Sequence, residues 1–300
     1  MLTHDQSAVL SFYTAPAVMT SAGRHAHLLD GLPARITELA AVGQGLVIHE
    51  HMADAYGVTL SAEDRATVHL RPVEKLLGAI AARNDRPLLV AREPAGRTAG
   101  NCRHFTVLMT AMLRAQGRPA RARCGFGNYF PGGWNEDHWV CEYWEPDQRC
   151  WRLVDAQIDD RQMSWFPIDF DVTDVPRDRF VVAGQAWQQF RAGEADPATF
   201  GLSQIREAGD WWIAGNLMRD AQALLNLEML PWDVWGAMPG PDDRITDELA
   251  ALFDDLAALT QSPDANLAEL GRLCAADDRL RVPEKVRNAV RGVYEPVLAD

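Results

Sequence analysis

Lysine is nearly missing from this chain. Of 29 basic residues only Lys75 and Lys285 are lysines, and 42 acidic residues leave a formal net charge of −13. A chain this acidic lacks the basic footprint that binding to a phosphate backbone requires, so no nucleic-acid partner is expected. Cysteine is sparse too. Cys102, Cys124, Cys141, Cys150 and Cys274 are an odd number at irregular spacing, with no CxxC pair. That pattern argues against a secreted disulfide framework and against a thiolate zinc site. Long apolar runs are absent: none approaches the roughly 18 residues that span a bilayer, so no membrane partner is expected. The opening stretch MLTHDQSAVLSFYTAPAVM has no basic segment ahead of an apolar one and does not read as a signal peptide. The expectation is a soluble protein of the reducing cytoplasm.

What is present suffices for a large core. Hydrophobic residues are 47% of 300 and charged residues 24%, which bounds the chain to one large domain or two small ones. Texture divides it into a helical N-terminal region over 1–90, a mixed region over 91–175 and a helical C-terminal region over 176–300. No long linker separates them, so one unit is expected. Leu32 to Tyr56 reads as two helices or one kinked helix, and Pro72 to Arg83 as another with proline in its first turn. Phe105 to Ala115 is apolar nearly all round, as a buried helix is. Ala120 to Phe126, His138 to Trp144 and Cys150 to Asp155 read as strands, the last two as a hairpin. Phe200 to Leu230 and Asp243 to Thr260 carry helical periodicity. Acidic residues outnumber basic ones 18 to 9 over 201–300, which is read as a solvated helical face.

Three residues stand where chemistry would need them. Cys102 follows a loop and opens the buried helix, and the unpaired N–H groups and positive dipole of a helix N-terminus favour the reactive thiolate. His138 opens a strand, with Val140 and Glu142 on its face. Asp155 ends the next strand on the face of Trp151 and Leu153. A hairpin of these two strands sets an imidazole beside a carboxylate, which together with a thiolate makes a nucleophile, a base and an orienting group. Each residue alone has a plain explanation, as a core cysteine, a strand-end histidine or a turn aspartate.

The order of three segments carries a resemblance. Asn101-Cys102 heads a helix that runs into Leu113-Arg114-Ala115-Gln116-Gly117-Arg118-Pro119-Ala120-Arg121. Asp137-His138-Trp139-Val140-Cys141-Glu142 follows, and then Trp151-Arg152-Leu153-Val154-Asp155-Ala156-Gln157. Over about 100–160 this resembles the transglutaminase-like superfamily of papain-fold cysteine enzymes. The resemblance implies an α+β papain-like core, a nucleophile helix packed on an antiparallel sheet, with helical N- and C-terminal additions. It implies a Cys102, His138, Asp155 triad and acyl transfer or hydrolysis at an amide or ester carbonyl through a thioester. The substrate is then a peptide or small-molecule amide or ester, with water or an amine as acceptor; no metal or organic cofactor is required. The rival is a non-catalytic binding module that keeps the fold. The chain departs from the family in its oxyanion donors. It has no tryptophan before Trp134 and no glutamine between Gly96 and Asn101. Gln44 or a C-terminal residue is left to serve beside the Cys102 backbone N–H.

The remaining candidate residues have plainer roles. His104, two past Cys102, points about 200° away on a helix and is expected at the surface or behind the site. His25-Ala26-His27 and His49-Glu50-His51 are read as non-ligating, the second because helical i and i+2 diverge. Arg103, Arg118, Arg121 and Arg123 are read as surface ion pairs, the alternative being that Arg121 and Arg123 meet an anionic substrate. Ten tryptophans are read mostly as core. Phe126 to Trp134, aromatic and glycine-rich, is the expected lid, and the Asp210 to Trp235 segment is expected to pack on the catalytic core.

Overall fold

The computed structural model describes residues 4–298. Helix accounts for 44% and strand for 16% of the chain, an α+β protein. The chain forms two units. The first holds 1–122, 140–165 and 169–175, and the second 123–139, 166–168 and 176–300.

The first unit contains helices α1 (His4–Thr14), α2 (Ile36–Leu46), α3 (Ala62–Ala66), α4 (Val73–Arg83), α5 (Cys102–Ala115) and α6 (Asp160–Trp165). Its strands are β1 (Val47–His49), β2 (Thr98–Gly100) and β5 (Cys150–Val154), with the start of β3 (Ala120–Gly127) and the end of β4 (Asn135–Glu145). Helix α5 is buried at every position from Cys102 to Arg114. Its apolar side chains pack with Leu39, Leu46, Leu76, Leu77, Tyr143 and Val154 in one core. Pro72 caps α4, where its missing N–H costs nothing. The 32–56 stretch departs from the helical reading. Only α2 is an α-helix there, and the chain then becomes β1, which pairs in parallel with β2 at Val47↔Thr98. The expected hairpin forms, β4 and β5 being antiparallel from Cys141↔Val154 to Glu145↔Cys150.

The second unit contains α7 (Ala183–Arg191), α8 (Asp210–Leu224), α9 (Asp247–Gln261) and α10 (Pro263–Ala276). Its strands are β6 (Phe180–Val182), β7 (Phe200–Leu202), β8 (Glu207–Ala208), β9 (Asp233–Val234), β10 (Lys285–Asn288) and β11 (Val293–Pro296), with the rest of β3 and β4. Strand β6 pairs antiparallel with β3 at Gly125↔Val182, and β7 runs parallel to β4 at Asn135↔Phe200. Strand β8 folds back on β7, so the helix expected from Phe200 begins only at Asp210. Gly209 breaks the run: its φ of 149° lies where only glycine sits without strain. Helices α7, α8 and α9 pack together, with Trp187 edge-on to Phe253 at 5.2 Å.

Candidate active site

Strand β2 leads directly into α5. A Cβ on Gly100 would stand 2.9 Å from both Val47 Cγ1 and His104 Cβ, so only glycine lets the strand meet the helix this closely. Asn101 then caps α5. Its Oδ1 accepts the Arg103 N–H at 3.1 Å, and its own N–H donates to His104 Nδ1 at 3.2 Å. His104 Nε2 lies 3.0 Å from Leu70 O, and a carbonyl only accepts, so the ring carries its proton on Nε2. Burial, aided by the Arg103 charge, pushes this histidine down to about 3. Of the two expected placements, the surface one is excluded and the one behind the helix head fits. His104 does point away from Cys102, but the chain around Leu70 covers that side of the helix and His104 is fully buried. Cys102, the first residue of α5, is buried at 7% exposure. Asn101 Nδ2 is buried without a hydrogen-bond partner, a feature that sequence reading passed over.

Asp155 lies just past β5 in the same unit as Cys102 and is fully buried. Its N–H donates to Val172 O at 2.8 Å and its Oδ1 accepts the Gln157 N–H at 3.0 Å, so a local turn fixes the carboxylate. The pairings Glu142↔Leu153 and Trp144↔Trp151, with a period of two, put Trp151, Leu153 and Asp155 on the face of Glu142 and Trp144. The expected alternate donor Gln44 gives its Nε2–H to Ile158 O at 2.9 Å.

His138 lies in the part of β4 that belongs to the second unit, and alternation puts it on the strand face of Val140 and Glu142. Its ring is 2% exposed and enclosed by aromatics. Phe130 lies edge-on at 4.9 Å, Tyr129 at 6.0 Å and Phe180 at 6.3 Å. The aromatic, glycine-rich loop ahead of the histidine thus packs on the imidazole. The neighbouring strand residues are pinned from 200–224, contacts that no local motif announces. Asp137 Oδ2 accepts Trp212 Nε1–H at 2.9 Å and its Oδ1 accepts Asn216 Nδ2–H at 3.0 Å. Glu136 Oε1 accepts the Ser203 N–H at 3.0 Å. Burial raises both carboxyls.

Of the arginines read as surface pairs, Arg118 is partly exposed and pairs with Glu145 as expected, whereas Arg103, Arg121 and Arg123 are buried. Arg121 Nε donates to Glu142 Oε2 at 2.5 Å, with its guanidinium 4.0 Å over the Trp151 ring. Arg123 grips Asp220 through two bonds, Nε–Oδ1 at 3.0 Å and Nη2–Oδ2 at 2.8 Å, and the Cys124 N–H donates to the same carboxylate. Both arginines meet internal carboxylates rather than a substrate anion. Strand β1 puts His49 on a hollow within the first unit, and the next residue, Glu50, is pushed up to about 7 by burial against the opposing Arg65 charge. None of the five cysteines forms a disulfide, and burial pushes Cys274 up to about 12. Among the described residues, no group of three His, Cys, Asp or Glu side chains is placed to hold a metal ion, and no helix is long and apolar enough to cross a membrane.

Residues 82–156 match the family model of the transglutaminase-like superfamily, so this quarter of the chain is transglutaminase-like. The matched segment contains Cys102, His138 and Asp155. No curated protein matches the chain. Among solved structures it is similar to a candidate cysteine protease from Cytophaga hutchinsonii, at 16% identity and a TM-score of 0.34. That match covers 60% of this chain and 46% of the other, so it spans less than half the length of the relative.

Proposed function

We propose that the chain is a cysteine-dependent enzyme that cleaves or transfers an acyl group at an amide or ester carbonyl. Cys102 is the nucleophile, His138 the general base and acid, and Asp155 the group that orients the imidazole. The supporting observation is that all three lie inside the one transglutaminase-like segment, the cysteine at the capped head of its buried helix.

The chemistry follows from the residue types. The Cys102 sulfur attacks the carbonyl carbon while His138 takes the thiol proton, and the carbonyl π electrons move onto oxygen. The Cys102 backbone N–H at the helix head is suited to that developing oxyanion, the Arg103 N–H being taken by the Asn101 cap. The tetrahedral species collapses to a thioester, and His138 returns its proton to the departing amine or alcohol. Water or an amine then attacks the thioester, loses its proton to His138, and releases the acyl group with the thiol restored. Hydrolysis or transfer to a small acceptor is the reading preferred to protein cross-linking.

The test is intact-mass detection of a Cys102 adduct, using acyl-donor libraries with and without amines. One acyl group on Cys102 is the expected result, absent in Cys102→Ala and His138→Ala. Asp155→Asn should slow turnover by about 10²- to 10⁴-fold, because it disturbs the imidazole and spares the nucleophile. A Cys102 that iodoacetamide alkylates no faster than an ordinary buried thiol, with no acyl adduct from any donor, would leave a binding module as the reading.

A further inference from the structure

His138 falls in a gap between two backbone ladders. Strand β7 pairs with β4 only at Asn135 and Glu136, and β5 pairs with it only from Cys141 onward. Side chains and backbone from 200–224 take over where the first ladder ends. On the strand face of His138, Glu136 Oε1 accepts the Ser203 N–H at 3.0 Å. On the opposite face the grip on Asp137 is stronger, and both of its donors belong to helix α8. Trp212 Nε1–H reaches Oδ2 at 2.9 Å and Asn216 Nδ2–H reaches Oδ1 at 3.0 Å.

The second bond is made directional from further along the helix. Arg219 Nη1–H donates to Asn216 Oδ1 at 3.1 Å, so the Asn216 amide turns its N–H toward Asp137. Arg219 is itself seated by Nη2–H on Asp233 O at 3.1 Å. Burial raises the Asp137 carboxyl, and the Arg219 charge opposes that rise. Asn216 is fully buried, whereas Asp137 and Trp212 are half-buried. Water can solvate a half-buried carboxylate, so three residues of one helix exceed what its solvation needs. What the arrangement adds is position. Asp137 and His138 share a peptide bond, with Cα atoms about 3.8 Å apart, so neither moves alone. An imidazole that passes protons must stay within hydrogen-bond reach of its partners, and a shift of about 1 Å can cost about 10²-fold in rate.

We propose that Asp137 is a positioning residue for acyl transfer: Trp212 and Asn216 hold its carboxylate, and it holds the adjacent imidazole in line. Helix α8 thereby sets how well His138 moves protons. The inference rests on the reading of His138 as general base and acid and adds the group that places it.

Two acetyl donors separate misplacement of the imidazole from a general loss of stability. Both para-nitrophenyl acetate and para-nitroacetanilide give the same acetyl-Cys102 thioester. The first expels para-nitrophenolate, which departs without a proton. The second must receive a proton from His138 to depart as para-nitroaniline. Single-turnover acetylation of the full chain is followed by intact mass. Asp137→Ala should slow the anilide about 10²-fold and the ester about tenfold or less, changing the ratio of the two rates by about tenfold. Trp212→Phe keeps an aromatic ring and removes only the N–H. It should move the ratio the same way, and it decides the matter if Asp137→Ala does not fold. Asp137→Asn combined with Asn216→Asp reverses the bond between these side chains and keeps an acceptor for Trp212. The pair should restore most of the parent ratio, which Asp137→Asn alone should not. Equal slowing of both donors would overturn the positioning role, as would a double variant that recovers the parent's urea midpoint without its ratio. A parent acetylated by the ester alone would mean that His138 delivers no proton, which leaves Asp137 nothing to position. A parent acetylated by neither donor would instead overturn the acyl-transfer reading itself.

Discussion

A buried and a half-buried titratable residue in the first unit oppose each other. His104 is held near 3 against an ordinary 6.5, so the unfolded chain binds more protons between those values. Its contribution is complete above pH 6.5 and is lost as pH falls toward 3, by about 1.4 kcal/mol per unit at most. Glu50 is held near 7 against an ordinary 4.5, so here the folded chain binds more protons. Its contribution is complete below pH 4.5 and is lost as pH rises through 7. The two slopes partly cancel between 4.5 and 6.5, and single substitutions should separate them in urea melts. Glu50→Gln should match the parent near pH 4.5 and exceed it at pH 8, by up to about 3 kcal/mol less the solvent screening of a half-buried group. His104→Gln should be less stable than the parent at pH 7 and show a shallower acid slope. Equal pH profiles for parent and variants would contradict both assignments. The presence of a histidine at 104 is plain in the sequence, whereas its burial depends on Leu70, more than thirty residues earlier.

At the scale of elements, β3 to β5 were legible because their signals are local. Alternating apolar residues and the turns Pro131-Gly132-Gly133 and Glu145-Pro146-Asp147 mark them without reference to the rest of the chain. Strands β1 and β7 were not legible. Each is three residues long; β1 is a strand only because it pairs with β2 about fifty residues away, and β7 lies between the distant β4 and the two-residue β8. The same distance hid the partners of Arg123, whose carboxylate arrives from α8. Asp220→Ala should cost about 3–5 kcal/mol, because it strands a buried guanidinium. Arg123→Met with Asp220→Leu should recover most of that loss, since well-packed apolar groups often replace a buried pair without penalty. A double-mutant cycle by chemical denaturation checks this, and a double variant as unstable as Asp220→Ala alone would show that the pair does more than neutralise itself. The three positions proposed as catalytic stand out in the sequence for a different reason. Cysteine, histidine and aspartate in that order, each inside a recognisable segment, are a chemical signal that survives ignorance of the packing around them.

The whole chain passes between its two units five times, so neither unit is one stretch of sequence. A chain ending near residue 200 would keep Arg123 and Asp137 but lose Asp220, Trp212 and Asn216, their partners in the second unit. Such a chain should be insoluble, or bind ANS with no cooperative melting transition. A soluble, cooperatively folding product would show that α8 is dispensable to the strand that carries His138. The Arg123–Asp220 pair also sets a timetable for birth of the protein. The partners are 97 residues apart, and ribosomes add about 5–20 residues per second. Arg123 therefore emerges roughly 5–20 s before its carboxylate, and for that interval the half-made sheet holds a charge it cannot bury. The nascent chain should be a client of holding chaperones until α8 clears the exit tunnel, and its yield should depend on that wait more than on the stability of the finished fold.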